Sequence, residues 1–140
     1  MFSRMIKAVL DTNVFISALF WTGSPHNVLA KALESEFILI TSREILKEIE
    51  ERLLNKFKFP VEDILSFLEI IVLNSHIVEP NIKLEAVPQD PNDNKIIECA
   101  VSGNADYIVT GDKDILNLKE FRGIKIITSN QFLKVLNNLK

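Results

Sequence analysis

The sequence predicts an α/β fold built on a mostly parallel sheet, and three observations carry that prediction. Short apolar runs bounded by turn residues alternate with longer segments whose apolar residues recur at helical spacing. That is the pattern of βαβ units, with right-handed crossovers and a sheet covered on both faces. Two of the short runs, Lys7-Ala-Val-Leu-Asp-Thr-Asn13 and Ala105-Asp-Tyr-Ile-Val-Thr-Gly-Asp112, are apolar until small polar residues and an acid end them. The 140 residues hold only four Gly and five Pro, with no internal repeat, linker or low-complexity stretch, so a single domain over 1–140 is expected.

The elements follow in order. Residues 6–10 read as the first strand, Asp11 to Asn13 turn the chain, and 14–20 form a short apolar helix. Gly23 to Pro25 break it; Ser24 is placed to cap a second helix to about residue 34, with Pro25 at its first position. Residues 37–40 are the second strand, and Ser42 suits the N-cap of a helix over 43–54. Pro60 opens a helix over 61–73 with a broad apolar face of Ile64, Leu65, Phe67, Leu68 and Ile71. A short third strand at 77–78 precedes a loop over 81–89. Asp90-Pro91 is a helix start, with Gly103 as its stop. Strand 107–109, a short helix over 112–118, strand 124–127 and a helix over 131–139 capped by Ser129 complete the chain.

Composition excludes several classes. Apolar residues make up 47% and charged residues 25%, as in an ordinary globular protein. The net charge of −3 gives no whole-chain attraction to nucleic acid, so a local basic patch or a metal ion would have to supply it. The single cysteine, Cys99, permits no internal disulfide and fits a reducing compartment. No stretch reads as a signal peptide or a membrane helix, so a cytoplasmic, membrane-free protein is expected.

Nineteen acidic residues make position the criterion for a site. Ligands of open α/β sheets bind outside the carboxyl ends of the strands, where Asp11 and Asp112 fall. Asp11 equally suits a turn, bonding its own backbone. In the helix after Ser42 the apolar face is Ile45, Leu46, Ile49 and Leu53. Glu44 and Glu51 lie nearly opposite it, while Glu48 and Glu50 flank it. Of these two, Glu48 is nearer the helix start and is favoured; its alternative role is an ion pair with Arg52. Asp93 shares a stripe with Ile96, Ile97 and Ala100, and a core-facing carboxylate needs a partner or a cation. Its alternative is to satisfy first-turn amides beside Asp90. Asp114 would cap the short helix or support a neighbouring acid, and Thr12, Asn13, Ser42 and Thr110 are placed to orient carboxylates by hydrogen bonds.

Four carboxylates at one sheet edge would repel strongly without a cation. Oxygen-only donors select hard ions such as Mg²⁺ or Mn²⁺, which activate water and stabilise phosphodiester transition states. Other chemistries lack their residues. There is no Walker A loop, G-x-G-x-x-G or G-x-S-x-G. In Asp90-Pro-Asn-Asp-Asn94 a calcium loop fails at Lys95 and Val101. A phosphotransferase with Asp-x-Asp fails at Asn13. His26 and His76 stand apart from other ligand types, and Cys99, Trp21 and most of the nine Phe read as core.

Four segments, in this order, resemble the PIN-domain family and within it the PIN-domain toxins of prokaryotic toxin–antitoxin pairs. They are Leu10-Asp-Thr-Asn-Val-Phe-Ile16, Thr41-Ser-Arg-Glu-Ile-Leu-Lys-Glu48, Asp90-Pro-Asn-Asp-Asn-Lys-Ile-Ile-Glu-Cys-Ala100 and Ala105-Asp-Tyr-Ile-Val-Thr-Gly-Asp-Lys-Asp114. The resemblance implies a three-layer α/β/α fold with a five-stranded sheet, and a Mg²⁺- or Mn²⁺-dependent endoribonuclease with one or two ions. It also implies an antitoxin partner and a homodimer or higher homo-oligomer. The family's acids match Asp11, Glu48, Asp93 and Asp112, which selects Glu48 over Glu50. On this reading the three Asp hold metal and Glu48 joins them or orients the attacking water, expelling the 3′-oxygen of an RNA phosphodiester. Arg43, Lys47, Lys95 and Lys113, with Arg52, Lys56 and Lys119, would rim the cleft and meet phosphates. RNA over DNA rests on the resemblance alone; a DNA-directed nuclease and a non-catalytic RNA- or protein-binding domain are the alternatives.

Overall fold

A computed structural model of the chain describes residues 4–84, 86 and 93–139. In order, the elements are β1 (Lys7–Leu10), α1 (Thr12–Phe20), α2 (Ser24–Leu33), β2 (Ile38–Ser42), α3 (Arg43–Asn55), α4 (Val61–Leu73) and β3 (Ser75–Val78). They continue as α5 (Asn94–Ser102), β4 (Tyr107–Val109), α6 (Lys113–Leu116), β5 (Glu120–Phe121), β6 (Ile124–Ile127) and α7 (Ser129–Asn137). Ala8, Val9 and Leu10 are consecutive and fully buried, so both faces of β1 are covered. That is the mark of a parallel sheet sandwiched between helical layers.

The sheet order is β3-β2-β1-β4-β6-β5. The chain steps outward from β1 through β2 to β3, then crosses back to lay β4 and β6 on the other side. The order therefore reverses between β1 and β4, the position where open α/β sheets bind ligands. Five strands run parallel, as expected; the sixth, β5, pairs antiparallel with β6. This two-residue strand is too short to leave a period. It is set by a tight turn in which Arg122 and Gly123 both take positive φ, 51° and 83°.

Register delivers the edge. Leu10 pairs with Val109, and Val109 with Ile127. The ladder runs one step further, with Asp11 N donating to Val109 O at 3.1 Å and Thr110 N to Ile127 O at 3.0 Å. Asp11, Thr110 and Thr128 thus stand in one row at the carboxyl edge.

Local structure corrects the sequence reading in several places. Ser24 is the first residue of α2 rather than its cap, which is Gly23. Thr128, not Ser129, caps α7, in a capping box with Gln131. α6 is one turn, ending at Leu116. α5 begins at Asn94; the start expected at Asp90-Pro91 lies outside the described residues. Leu65 is turned away from the core face of α4, which buries Ile64, Phe67 and Ile71. Trp21, at the C-cap of α1, is 62% exposed, having left the helix that would have carried it inward. Among the described residues no helix is long and apolar enough to cross a membrane.

Candidate active site

Asp11 ends β1 and begins α1, so one side chain serves two elements. Its Oδ1 accepts from Val14 N at 2.9 Å, capping α1, and its Oδ2 accepts from the Thr110 hydroxyl across the β1–β4 seam. Only 5% of the residue is exposed. Burial pushes its carboxyl above the ordinary range. The bonds from Thr110 and Val14 work against that, and the charge of Asp112 adds to it. Thr110 also accepts from Asp112 N at 3.0 Å, so one hydroxyl ties the two acids together. Asp112 caps α6, accepting from Asp114 N at 2.8 Å and Ile115 N at 3.2 Å. Of the two roles open to Asp114, capping α6 falls to Asp112 instead, to which Asp114 donates its backbone amide.

A second group forms around Glu48, one helical turn and a half into α3. The Thr12 hydroxyl donates to its Oε1, while Arg52 at 3.3 Å and Lys95 at 3.2 Å share its Oε2. Burial opposes ionisation of Glu48, but the Thr12 bond and the two cations outweigh it and hold its carboxyl below the ordinary range. The other fork of Arg52 reaches Asn13 Oδ1 at 2.6 Å. Glu48 therefore makes the ion pair with Arg52 that was its alternative role, and its carboxylate also meets Thr12 beside the β1 edge. Glu50 is exposed, as are Glu44 and Glu51. The two groups adjoin through the neighbours Asp11 and Thr12.

The remaining expected residues are distributed unevenly. Asp93 is half-buried at the N-cap position of α5, two residues before the Lys95 that reaches Glu48. Asp90 lies outside the described residues. Ser42 serves its own helix, accepting from Ile45 N at 3.3 Å, and meets Cys99 rather than orienting one of the four acids. Of the basic side chains, Arg43 pairs with Glu79, Lys56 lies over the Phe57 ring, and Lys95 and Arg52 are turned to Glu48. Lys47 and Lys95 line a hollow of about 370 Å³ with Glu44, Glu48 and Glu51, and Lys113 and Lys119 are exposed.

Among the described residues, no three Asp, Glu, His or Cys side chains stand together as a ligand cluster. Each acid is engaged by its own chain: Asp11 and Asp112 cap helices and Glu48 is ion-paired. The donor set nonetheless suits a hard divalent ion. It is oxygen-only, and Asp11 and Asp112 are near enough for the charge of one to disfavour that of the other.

The family model for the PIN domain matches residues 7–114. The chain belongs to the PIN-domain family. The match begins at β1 and ends at Asp114, so it spans both groups of acids. This PIN domain is 37% identical over 137 residues to an uncharacterised protein of Methanocaldococcus jannaschii, MJ1680, covering 94% of this chain and 82% of that one. Its fold is shared by PAE2754 from Pyrobaculum aerophilum, with a TM-score of 0.66 at 14% identity, covering 95% of this chain and 90% of the other. It is also shared by VapBC2 from Rickettsia felis, solved bound to a DNA fragment from their promoter. There the TM-score is 0.62 at 18% identity, covering 86% and 97%.

Sequence reasoning passed over Glu98, which is 4% exposed and accepts from Leu84 N at 2.8 Å through Oε2. It pins the chain leading into the acidic Asp90 segment against α5. The only signal was its place inside the apolar run Ile96 to Val101. Asn94, also buried, gave none.

Proposed function

We propose that this PIN domain is a Mg²⁺- or Mn²⁺-dependent endonuclease that cleaves single-stranded RNA, with Asp11, Glu48, Asp93 and Asp112 as its acids. The observation that carries the reading is the buried Asp11 carboxylate, set beside Asp112 where the strand order reverses. A buried charge next to a like charge is costly unless a cation offsets it. Asp11, Asp93 and Asp112 would hold one or two ions, with Glu48 as a further ligand or as the acceptor that orients the attacking water. The bound ion supplies positive charge against the charge developing on the phosphodiester and lowers the pKa of water.

The chain's own residues do the rest. Thr110 fixes the direction of Asp11, and the α6 amides fix Asp112. Lys95 and Arg52 keep Glu48 ionised and able to accept a hydrogen bond from water. Attack in line expels the 3′-oxygen and leaves a 5′-phosphate, while Lys47, Lys113 and Arg43 meet flanking phosphates. Resemblance to toxins of toxin–antitoxin pairs supports an antitoxin partner and a homo-oligomer, and the fold shared with VapBC2 adds support for the antitoxin partner.

The test is a nuclease assay on protein freed of bound partners, using single-stranded RNA and DNA with Mn²⁺, with Mg²⁺ and with excess EDTA. RNA cleavage is expected with metal, absent with EDTA and lost in Asp93→Asn. Equal cleavage by wild type and variant would overturn the site. Cleavage of DNA alone would overturn the substrate.

A further inference from the structure

Among the described residues, two hollows flank the acids and differ in chemistry. The one lined by Lys47, Lys95 and three Glu is charged throughout. The other, about 260 Å³, lies between the first turns of α1 and α2 and the start of α7. Its lining includes Asn13, Ser17, Pro25, Thr110, Thr128 and Asn130, and none of its described lining residues carries a charge. It opens directly beside the acids: Thr110 donates to Asp11, and Asn13 follows the Thr12 that donates to Glu48.

We infer that this uncharged hollow is a nucleobase subsite that holds the base next to the cleaved bond and sets which base is preferred. The inference rests on the nuclease reading above. A phosphate is drawn to lysines, whereas a base wants apolar contact for its faces and amide groups for its edge. Val14 and Pro25 supply the first. Asn13 and Asn130 supply the second. Because a guanidinium only donates, Arg52 must take Asn13 through its carbonyl oxygen, leaving the Asn13 amide nitrogen to donate to a ligand. Asn130 is exposed and offers both a donor and an acceptor. The volume falls just below the ~300–1,000 Å³ of whole small-molecule sites, which suits one base rather than a whole nucleotide.

Two readouts test this on the full chain. Cleavage-site sequencing on random-sequence single-stranded RNA reads base preference, and saturation-transfer NMR with the four uncharged ribonucleosides reads binding without phosphate. Wild type is expected to favour one base beside the cut and to bind the matching nucleoside. Ser17→Phe, which fills the hollow, and Asn130→Ala, at an exposed position that should fold regardless, are each expected to reduce the preference by ~5-fold or more. Ser17→Phe should also abolish nucleoside binding. Unchanged preference and unchanged nucleoside binding in both variants would overturn the subsite. If wild type cuts no RNA, the ribonuclease reading fails by itself. Nucleoside binding lost in the variants would then still support the hollow, and no binding in wild type would overturn it.

Discussion

Two aspartates sit at opposite ends of the same strand pair and meet opposite fates. Asp106 precedes β4 at the amino edge. Arg4 Nη2 reaches its Oδ1 at 2.5 Å, and Lys7 N reaches its Oδ2 at 2.9 Å. Burial there opposes ionisation, but Arg4 and the Lys7 amide prevail and hold its carboxyl below the ordinary range. Asp11 ends β1 at the carboxyl edge, is nearly sealed from water, and has another acid as its charged neighbour. One edge neutralises its acid from within the chain; at the other, burial and the neighbouring Asp112 disfavour ionisation of Asp11, and the proposed cation would offset both. Under the proposed function, that difference would separate a structural acid from a functional one.

The sharpest way to break the comparison is to neutralise one acid at each edge and measure metal-dependent RNA cleavage. Asp112→Asn is expected to lower the rate by at least ~100-fold, since removing a partner that only orients a metal ligand already costs ~10–100-fold. Asp106→Asn should leave it unchanged. A second effect lies in stability. Asp11 ionises more readily unfolded than folded, so its contribution is present in acid and lost as pH rises through its raised folded pKa, above the ordinary 3.8. For Asp106 the sign reverses: its contribution is present above 3.8 and lost as pH falls through its lowered folded pKa. Thermal melts in EDTA at neutral pH should therefore show Asp11→Asn more stable than wild type, the gap closing below about pH 4. Asp106→Asn should be less stable by up to ~1 kcal/mol, as its Arg4 partner is largely exposed.

A smaller effect is expected at Arg52, which joins Asn13 of α1 to Glu48 of α3. Arg52→Lys keeps the charge but not the fork and should slow cleavage by ~10-fold or less, with little change in melting temperature. The smallest response belongs to Cys99. Burial pushes its thiol up to about 12, with the Ser42 bond working against this and Glu44 adding to it. A thiol reagent at pH 8 should leave it unmodified until the protein unfolds.

What could be read in the sequence follows from how local each cause is. β1 and β4 were legible because strands buried on both faces are continuous apolar runs, and their ends were marked by Asp11 and Asp112. Ser42 marked a helix start by side-chain chemistry confined to one turn, whereas Gly103 ends α5 with an ordinary φ of −91° and is glycine because a Cβ there would meet Ile40 of β2. The Thr128 cap was within reach too, since Gln131 three residues on completes the capping box. Contacts across the fold were not legible. Arg4 and Asp106 are 102 residues apart, and Thr12 and Glu48 are 36 apart. Glu98 is buried because α5 is packed nearly all round, a property of its neighbours rather than of its own pattern. Membership of the family, by contrast, was legible in four short segments that keep their order.

Under the proposed function, the carboxyl edge binds a divalent cation and the amino edge does not. The most direct measurement is a calorimetric Mn²⁺ titration of wild type, the Asp11→Asn/Asp112→Asn double variant and Asp106→Asn. Wild type and Asp106→Asn are expected to bind one or two ions, and the double variant none. Equal binding by all three, or loss in Asp106→Asn alone, would contradict this.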